Sequence, residues 1–429
     1  MKSHLCNRCG SCVGLSDGSV RFKDKTGSYG PEIVGKIDDE LAGKLWYACS
    51  GQYFDFPEFR KKIFPDSPSF HIYTGSYQNI YIGFSKDEEI RQNAASDGII
   101  SSILIYLLEK KEIDGAVTLR MSPKEPWMNE PFIATNKNEI LDAAQSKYTI
   151  NSVNEILAEV KNFQGKLAYI GLPGQVQSIR KLQSINDPSV RNIKYIFGPF
   201  YGNTLHFSSI ISFLKSYGIN DYHDIKKLYF RYGEWPGNMR IELKNGQIIE
   251  LKKFHANYLI PFHILKNSLF CTDLSNEFTD ISVDDAWSSV YEERGNGFSL
   301  VISRSLNGQK ILDKMKKDGR IDLMPFQINK AIEMHSHGYD LKKRGAFIII
   351  KFRKWTNKIV PDYGYTIKGF SLKRYLMEIL ISFMFLILGT KIARWSVEQL
   401  SPKFIGKVFE NARTKWKKST RKIKRQNLN

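Results

Sequence analysis

Two hydrophobic periods alternate through the middle of the chain. Residues 98–111 place Ile99, Ile100, Ile103, Leu104, Leu107 and Leu108 on one stripe of helical period, which predicts an amphipathic helix. Asp114-Gly115 breaks that pattern, and residues 116–119 read as an apolar strand. Ser152 heads a second helix reaching Val160, with Glu155 as its capping-box partner. Residues 166–171 and 193–197 are apolar strands on either side of a helix over 175–184. Strands and helices at this spacing predict a βαβ core with several parallel strands.

Elsewhere the pattern changes. Residues 239–251 alternate around Asn245-Gly246, a strong hairpin signal. A glycine-rich loop with Gly295 and Gly297 runs into a strand over 299–303, and helices follow at 307–317 and 327–338. Residues 1–60 are rich in Gly, Ser and Cys, with one strand-like run at 19–22, as in a small metal-supported module. Residues 375–390 are almost wholly apolar, interrupted by Glu378. A membrane-spanning helix needs about 20 such residues, so this run is short. The predicted fold class is α/β: a mixed sheet with flanking helices, an N-terminal cysteine module and a C-terminal helical extension.

Charge sharpens the last boundary. The 429 residues carry a formal charge of +19, and residues 341–429 hold 22 basic residues against four acidic ones. The body is close to neutral, which argues against a nucleic-acid binder whose basic surface belongs to its folded domain. The basic end has its own partner on this reading: an anionic membrane surface met by residues 372–429 through a shallow helix and a polybasic tail. A buried helix docked on the body, with a solvated basic end, is the alternative. His335-Ser-His337 has no neighbouring carboxylate or thiolate pattern and reads as surface.

Five cysteines bear on chemistry and compartment. Cys6, Cys9 and Cys12 are clustered, and Cys49 and Cys271 stand apart. A secreted disulfide framework uses an even number at wider spacing, and the N-terminus has no apolar run. A reducing cytoplasm follows, with the protein peripheral on the inner face of the cell membrane. Cys6-Asn-Arg-Cys9-Gly-Ser-Cys12 suits convergence on an iron–sulfur cube, with Cys49 as the fourth ligand. Zinc on four thiolates and structurally inert thiols are the other readings.

Six motifs in order resemble the beta-subunit family of deazaflavin (coenzyme F420) hydrogenases and dehydrogenases, up to about Gln309. The Cys6/Cys9/Cys12 module and Cys49-Ser50-Gly51 resemble its ferredoxin-like part and Cys-Pro-Gly. Ala94-Ala95-Ser96-Asp97-Gly98 resembles its Ala-Ser-Gly-Gly helix start, and Ser146-Lys147-Tyr148 its Ser-Lys-Tyr. Gly171-Leu172-Pro173-Gly174-Gln175 is similar to its Gly-Leu-Pro-Cys-Gln, and Trp235-Pro236-Gly237 to its Trp-Pro-Gly. Cys271-Thr-Asp-Leu-Ser-Asn-Glu-Phe-Thr-Asp280-Ile-Ser-Val is the most specific match. The chain departs where the family carries further cysteines: Gly174, Tyr201 and Ser268 stand there, leaving Cys271 alone. One thiolate cannot hold the family's core cluster.

The resemblance implies a ferredoxin-like iron–sulfur module over 1–60 and a flavin domain over 70–340; the charge and apolar pattern beyond it give a membrane-associating tail over 341–429. It implies one 4Fe-4S cluster on Cys6, Cys9, Cys12 and Cys49, and FAD, a related flavin or a deazaflavin. Ser96 and Gly98 would bind a phosphate or ribityl group. Lys147, beside Tyr148, would meet a pyrophosphate or a reduced flavin. Pro173 and Gln175 would lie past a strand's C-terminal end, where ligands bind in open α/β sheets. Asp280 and Ser282 would precede a loop closing the site, and Arg180 reads as a surface or phosphate residue. No catalytic residue stands out. The expected function is an oxidoreductase or electron-transfer subunit, passing electrons from cluster to flavin to a substrate or redox partner. The lost cysteines and basic tail motivate an alternative: a repurposed non-redox accessory protein at the cytoplasmic membrane face, serving surface polysaccharide biosynthesis.

Overall fold

The computed structural model describes residues 4–287 and 297–425. Fifteen strands occur among them. β1 (Val20–Lys23) and β2 (Gly30–Ile33) form an N-terminal hairpin, and β3 (Ser69–His71) and β4 (Gly75–Tyr77) a second. The central sheet uses β5 (Asn79–Ser85), β6 (Gly115–Met121), β7 (Asn129–Ala134), β8 (Leu167–Ile170) and β9 (Ile193–Pro199). An antiparallel three-stranded sheet follows: β10 (Ile225–Tyr232), β11 (Asn238–Leu243) and β12 (Ile248–Lys252). β13 (Ile281–Asp285), β14 (Ser299–Ser303) and β15 (Ile321–Pro325) then complete the central sheet.

The eight central strands run in the order β15-β5-β14-β13-β9-β8-β6-β7. The middle four, β13, β9, β8 and β6, are parallel, and the outer pairings are antiparallel. Alternate residues enter opposite faces. Val117, Tyr169 and Ile196 pack under the helix Pro173–Ser184 with Val176, Ile179 and Leu182. Ala116, Ala168 and Phe197 pack under the helices Ile99–Glu109 and Leu306–Lys317. Around the first of these, burial extends past the expected stripe to Ser102, Ile105 and Tyr106. Side chains of Asp38, Asp55, Asp87, Asn136 and Ser305 accept backbone N–H bonds at helix starts, each worth about 1 kcal/mol.

The expected capping box at Ser152 is absent. A 3-10 turn, Val153–Ile156, precedes the helix Leu157–Asn162. The Ser152 hydroxyl donates instead to the Arg8 carbonyl at 2.9 Å, and the Asn154 amide N–H donates to Cys9 O at 3.0 Å. Polar groups that read as local helix signals are used to dock the cysteine loop. Gly295 lies outside the described residues.

Between Cys271 and Asp280 the chain runs through the interior with almost no regular structure. Thr272, Asp273, Ser275, Asn276 and Thr279 are wholly buried. Arg304 donates to the carbonyls of Thr74 (2.6 Å), Ser76 (2.9 Å) and Ser275 (2.8 Å) and to Ser282 Oγ (3.1 Å). Asn276 Nδ2 donates to Gly171 O and Pro199 O. Glu277 pairs with Lys343, which also donates to the Tyr365 hydroxyl at 2.8 Å.

Lys343 belongs to a π-helical turn, Asp340–Gly345, whose Lys342, Lys343 and Arg344 are all buried. The basic segment therefore begins inside the body. Arg374 reaches back from the helix Leu372–Leu388, donating to Asp340 Oδ1 at 2.8 Å and pairing with Glu378. The last helix, Pro402–Arg425, packs along residues 253–259 and 336–339, with Glu410 on His255 at 3.0 Å.

Arg304→Leu removes the guanidinium donor from the carbonyls of Ser76, Ser275 and Thr74, the last keeping only Ser275 Oγ at 3.2 Å. It should lower unfolding stability by on the order of 3–5 kcal/mol. Urea denaturation checks this, and a change below about 0.5 kcal/mol would contradict the role assigned to Arg304.

Candidate functional site

A cavity of about 870 Å³ opens at the C-terminal ends of the parallel strands. Its floor is Thr118 and Leu119 of β6, the turn after β8, the segment after β9, and the end of β13. This is where open α/β sheets bind ligands. Its volume lies at the upper end of small-molecule sites, about 300–1,000 Å³. Tyr148, Phe200, Phe230, Phe254 and Trp287 give it aromatic walls.

The helix start at 96–99 forms one end. Gly98 has φ +82°, and a Cβ there would sit 2.8 Å from Ile90 Cγ2, so glycine is required. Ser96 Oγ donates to Phe298 O at 3.0 Å. Asp97 is buried, and its Oδ1 accepts from Ser299 Oγ (2.6 Å) and Ile99 N–H (3.2 Å). Its Oδ2 has no partner among the described residues, and burial pushes its carboxyl up to about 7.

A second polar group stands across the cavity. Arg231 donates to both oxygens of Asp285, at 2.9 and 3.3 Å, and Trp235 Nε1 donates to Asp285 Oδ1 at 3.0 Å. Lys253 Nζ lies 3.6 Å from Asp285 Oδ2. Burial would raise the Asp285 carboxyl, but Arg231 and Lys253 hold it well below its usual range. The same two cations outweigh burial at Tyr148 and lower its phenol. Burial and the charge of Asp285 raise Asp284, whose Oδ2 is 3.3 Å from His335 Nδ1. Burial lowers His335 to about 4.

The expected site residues divide. Ser96, Gly98, Lys147, Tyr148 and Gln175 all line the cavity. Lys147 Nζ donates to the carbonyls of Ala143, Ala144 and Gln145, and burial lowers it to about 8. Gln175 Oε1 accepts from Leu172 N–H, and its Nε2 donates to Asn151. Pro173 is the first residue of its helix and does not line the cavity. Asp280 and Ser282 lie away from it too: Asp280 Oδ2 accepts from Ile196 N–H, and Ser282 faces Arg304. Arg180 is not a surface residue; it donates to Phe278 O at 2.8 Å. His335 and His337 both line the cavity, against their reading as surface. Folding brings their short helix beside β13, which no local pattern reports. Arg231 and Asp285 were missed, although one opens the Trp-Pro-Gly segment and the other closes β13.

The four N-terminal cysteines gather on a separate site beside the helix Pro173–Ser184. Each of Cys9, Cys12 and Cys49 feels the charge of its neighbours, and burial pushes Cys9 up to about 12. Ser11 shares a 2.6 Å hydrogen bond with Ser178, and Lys181 Nζ donates to Cys49 O at 3.2 Å. Four neighbouring thiols suit an iron–sulfur cluster in number and donor type. Among the described residues, however, no three His, Cys, Asp or Glu side chains stand ready-made in a metal-holding arrangement.

The positions where the resembling family has core cysteines are filled differently. A Cβ on Gly174 would lie 2.2 Å from Asn7 Nδ2, so the cysteine loop occupies that space. Tyr201 and Ser268 share a 2.7 Å hydrogen bond, and Lys342 Nζ sits 4.3 Å above the Tyr201 ring and donates to Ser268 O. Cys271 is buried and donates weakly to Asp273 O. These groups do not fit a second cluster.

Comparison with known proteins adds the following. Residues 80–158 match the model of the coenzyme F420 hydrogenase/dehydrogenase beta subunit N-terminal part, and residues 164–328 match that of its C terminus. Coenzyme F420-dependent sulfite reductase of Methanocaldococcus jannaschii is 22% identical over 84% of this chain and 53% of its own length. This chain thus spans about half of that protein. Coenzyme F420 hydrogenase subunit beta of Methanosarcina barkeri is 27% identical over 64% of this chain and 89% of its own. A chain in the F420-reducing [NiFe] hydrogenase complex from Methanosarcina barkeri superposes with TM-score 0.54 at 21% identity, covering 68% of this chain and 98% of that one. This last likeness concerns the fold.

Asp97 supplies a pH test. Its carboxyl ionises near 3.8 when unfolded and near 7 in the fold, so its favourable contribution is complete below pH 3.8 and lost as the pH rises to about 7. Asp97→Asn should gain on the order of 2–4 kcal/mol relative to the parent between pH 4 and pH 8. Thermal unfolding at both values checks this; an equal offset at both would contradict it.

Proposed function

This chain belongs to the coenzyme F420 hydrogenase/dehydrogenase beta-subunit family, and on that premise we propose that it is an electron-transfer subunit of an oxidoreductase. The observation that carries the reading is the pairing of two sites around one helix. The cysteine module grips one side of Pro173–Ser184, and Gln175 at its start lines the cavity.

Cys6, Cys9, Cys12 and Cys49 would hold a 4Fe-4S cluster, which supplies one-electron transfer. A flavin or deazaflavin in the cavity would supply two-electron chemistry. The chain's own residues set the environment. Aromatic walls exclude water and suit a planar ring. Lys253 and Arg231 keep the Tyr148 phenol acidic, so its proton is held loosely at the cavity surface. Anaerobically purified protein should carry iron, sulfide and flavin. Cys9→Ser should remove the iron and sulfide and leave the flavin. Colourless protein without either overturns the redox reading.

The second reading is a repurposed accessory protein at the membrane face. It is favoured by the Tyr201–Ser268 pair in place of cluster ligands and by an exposed apolar face. Among the described residues no single helix is long and apolar enough to cross a membrane; the pair Leu372–Leu388 and Lys391–Glu398, bent by 72°, passes by length and composition. Leu376, Leu380, Phe383, Ile387, Ile392 and Trp395 are exposed along it. Flanking Lys and Arg would each add about 1 kcal/mol on anionic lipid. In either reading the protein sits peripherally on the cytoplasmic face. Leu380→Glu with Phe383→Glu should abolish flotation with phosphatidylglycerol vesicles; unchanged flotation would remove these residues from the membrane contact.

A further inference from the structure

Beyond the family-matched region, which ends at 328, the chain from Lys351 to Tyr363 borders the cysteine module at two places. At one, the Phe54 and Phe56 N–H groups donate to Asp362 O and Tyr363 O. At the other, Arg353 stands 4.8 Å over the Phe270 ring and acts on the charge of His4, while Asn267 Nδ2 donates to the carbonyl of Leu5, next to Cys6. We propose that the face carrying Arg8, Lys266, Lys354, Trp355 and Lys358 docks a small acidic carrier protein against the cysteine module.

Charge is the first support. Residues 351–359 hold Lys351, Arg353, Lys354 and Lys358 and no acid. Burial lowers His4, and Lys266, Arg353 and Arg8 converge on it and lower it further. Lys266, Lys354 and Lys358 are exposed and form no ion pair among the described residues. Asp24, which acts on His206 together with Arg8 and Lys266, accepts the Ser28 N–H at 2.6 Å. An anchor is the second. Trp355 is 82% exposed at the end of the helix Ala346–Trp355, and Ile359 is exposed shortly after it. Protein interfaces draw much of their energy from Trp and Arg, and surrounding charge sets the encounter rate and orientation. One Trp and one Ile offer a bilayer little apolar area; the long exposed apolar run lies on the helix Leu372–Leu388. Position is the third. Arg8 Nη1 donates to the Cys6 carbonyl at 3.2 Å, so a partner seated on Arg8 meets the cysteine loop.

The proposal rests on the electron-transfer reading and names the chemistry of its partner. Full-length protein is immobilised, and binding of flavodoxin, a small acidic carrier, is measured at low ionic strength beside cytochrome c, a small basic one, and phosphatidylglycerol vesicles. The variant is Lys354→Glu/Lys358→Glu, with circular dichroism monitoring the fold; where charge reversal impairs folding, Lys354→Gln/Lys358→Gln replaces it. Lys310→Glu/Lys317→Glu, on the helix Leu306–Lys317 against the other face of the sheet, controls for general charge. Flavodoxin should bind the parent, bind the Lys354/Lys358 variant at least about tenfold more weakly, and bind the control pair as it binds the parent. Added salt should weaken the parent's binding more than the variant's. Iron content, measured on the same samples, separates the two readings: a colourless parent that still binds flavodoxin through this face overturns the redox reading alone. Equal binding by parent and variant, an equal loss in the control pair, cytochrome c bound as tightly as flavodoxin, or a loss confined to the vesicles overturns the proposal.

Discussion

The fold depends on keeping charge inside it. Asp273 and Glu277 lie on a segment with no sheet or helix to satisfy its polar groups, and both are buried. Burial and the charge of Glu277 push the Asp273 carboxyl up to about 7, with Lys343 and Arg304 opposing. Lys343 pairs with Glu277, and Arg304 ties the same segment to the strand region around Thr74 and Ser76. Removing one member of a buried pair leaves an uncompensated charge, at several kcal/mol. That segment leads directly into β13, whose end carries the cavity's Asp284 and Asp285, so the site inherits its position from these pairs.

One of these cations, Lys343, comes from the part of the chain that a charge count separates as a tail. Lys342 also fills the place beside Tyr201 and Ser268, donating to Ser268 O. Further on, Phe54 and Phe56 N–H groups of the cysteine module donate to Asp362 O and Tyr363 O, and the Tyr363 hydroxyl donates to Phe270 O. One stretch, 340–365, thus joins the module, the buried segment and the last helices. Space around positions 201 and 268, where the resembling family carries cysteines, is taken by hydrogen-bonded polar groups and a cation. The exposed apolar face runs along the helix Leu372–Leu388, which the pairing of Arg374 with Asp340 roots in the body.

Much of this was legible in the residues. The helix at 99–109, the strands at 115–121, 167–170 and 193–199, and the Asn245-Gly246 hairpin follow directly from period and turn chemistry. Half-buried and buried elements declare themselves through apolar spacing, which is local. Five of the eight expected cofactor-site residues line the cavity, because their motifs sit at strand ends and helix starts. Pro173, Asp280 and Ser282 instead serve helix initiation and buried hydrogen bonding, roles with the same local signature. His335, His337, Arg413 and Lys417 were illegible as site residues because long-range packing brings them in. A basic residue on a solvated face and one on a cavity wall have the same sequence pattern; only tertiary placement distinguishes them. Ser152 failed as a cap for a related reason, since its hydroxyl had a partner 144 positions away.

The C-terminal extension is a structural part of the α/β body rather than an appendage to it. A chain ending after Tyr339 keeps every family-matched residue but loses Lys342, Lys343 and the pairing with residues 54–56. Differential scanning calorimetry of that shortened chain beside the full one measures the contribution of the extension. The shortened chain should show no cooperative unfolding transition, because Glu277 is left inside it without Lys343. A cooperative transition within a few degrees of the full chain's would contradict it.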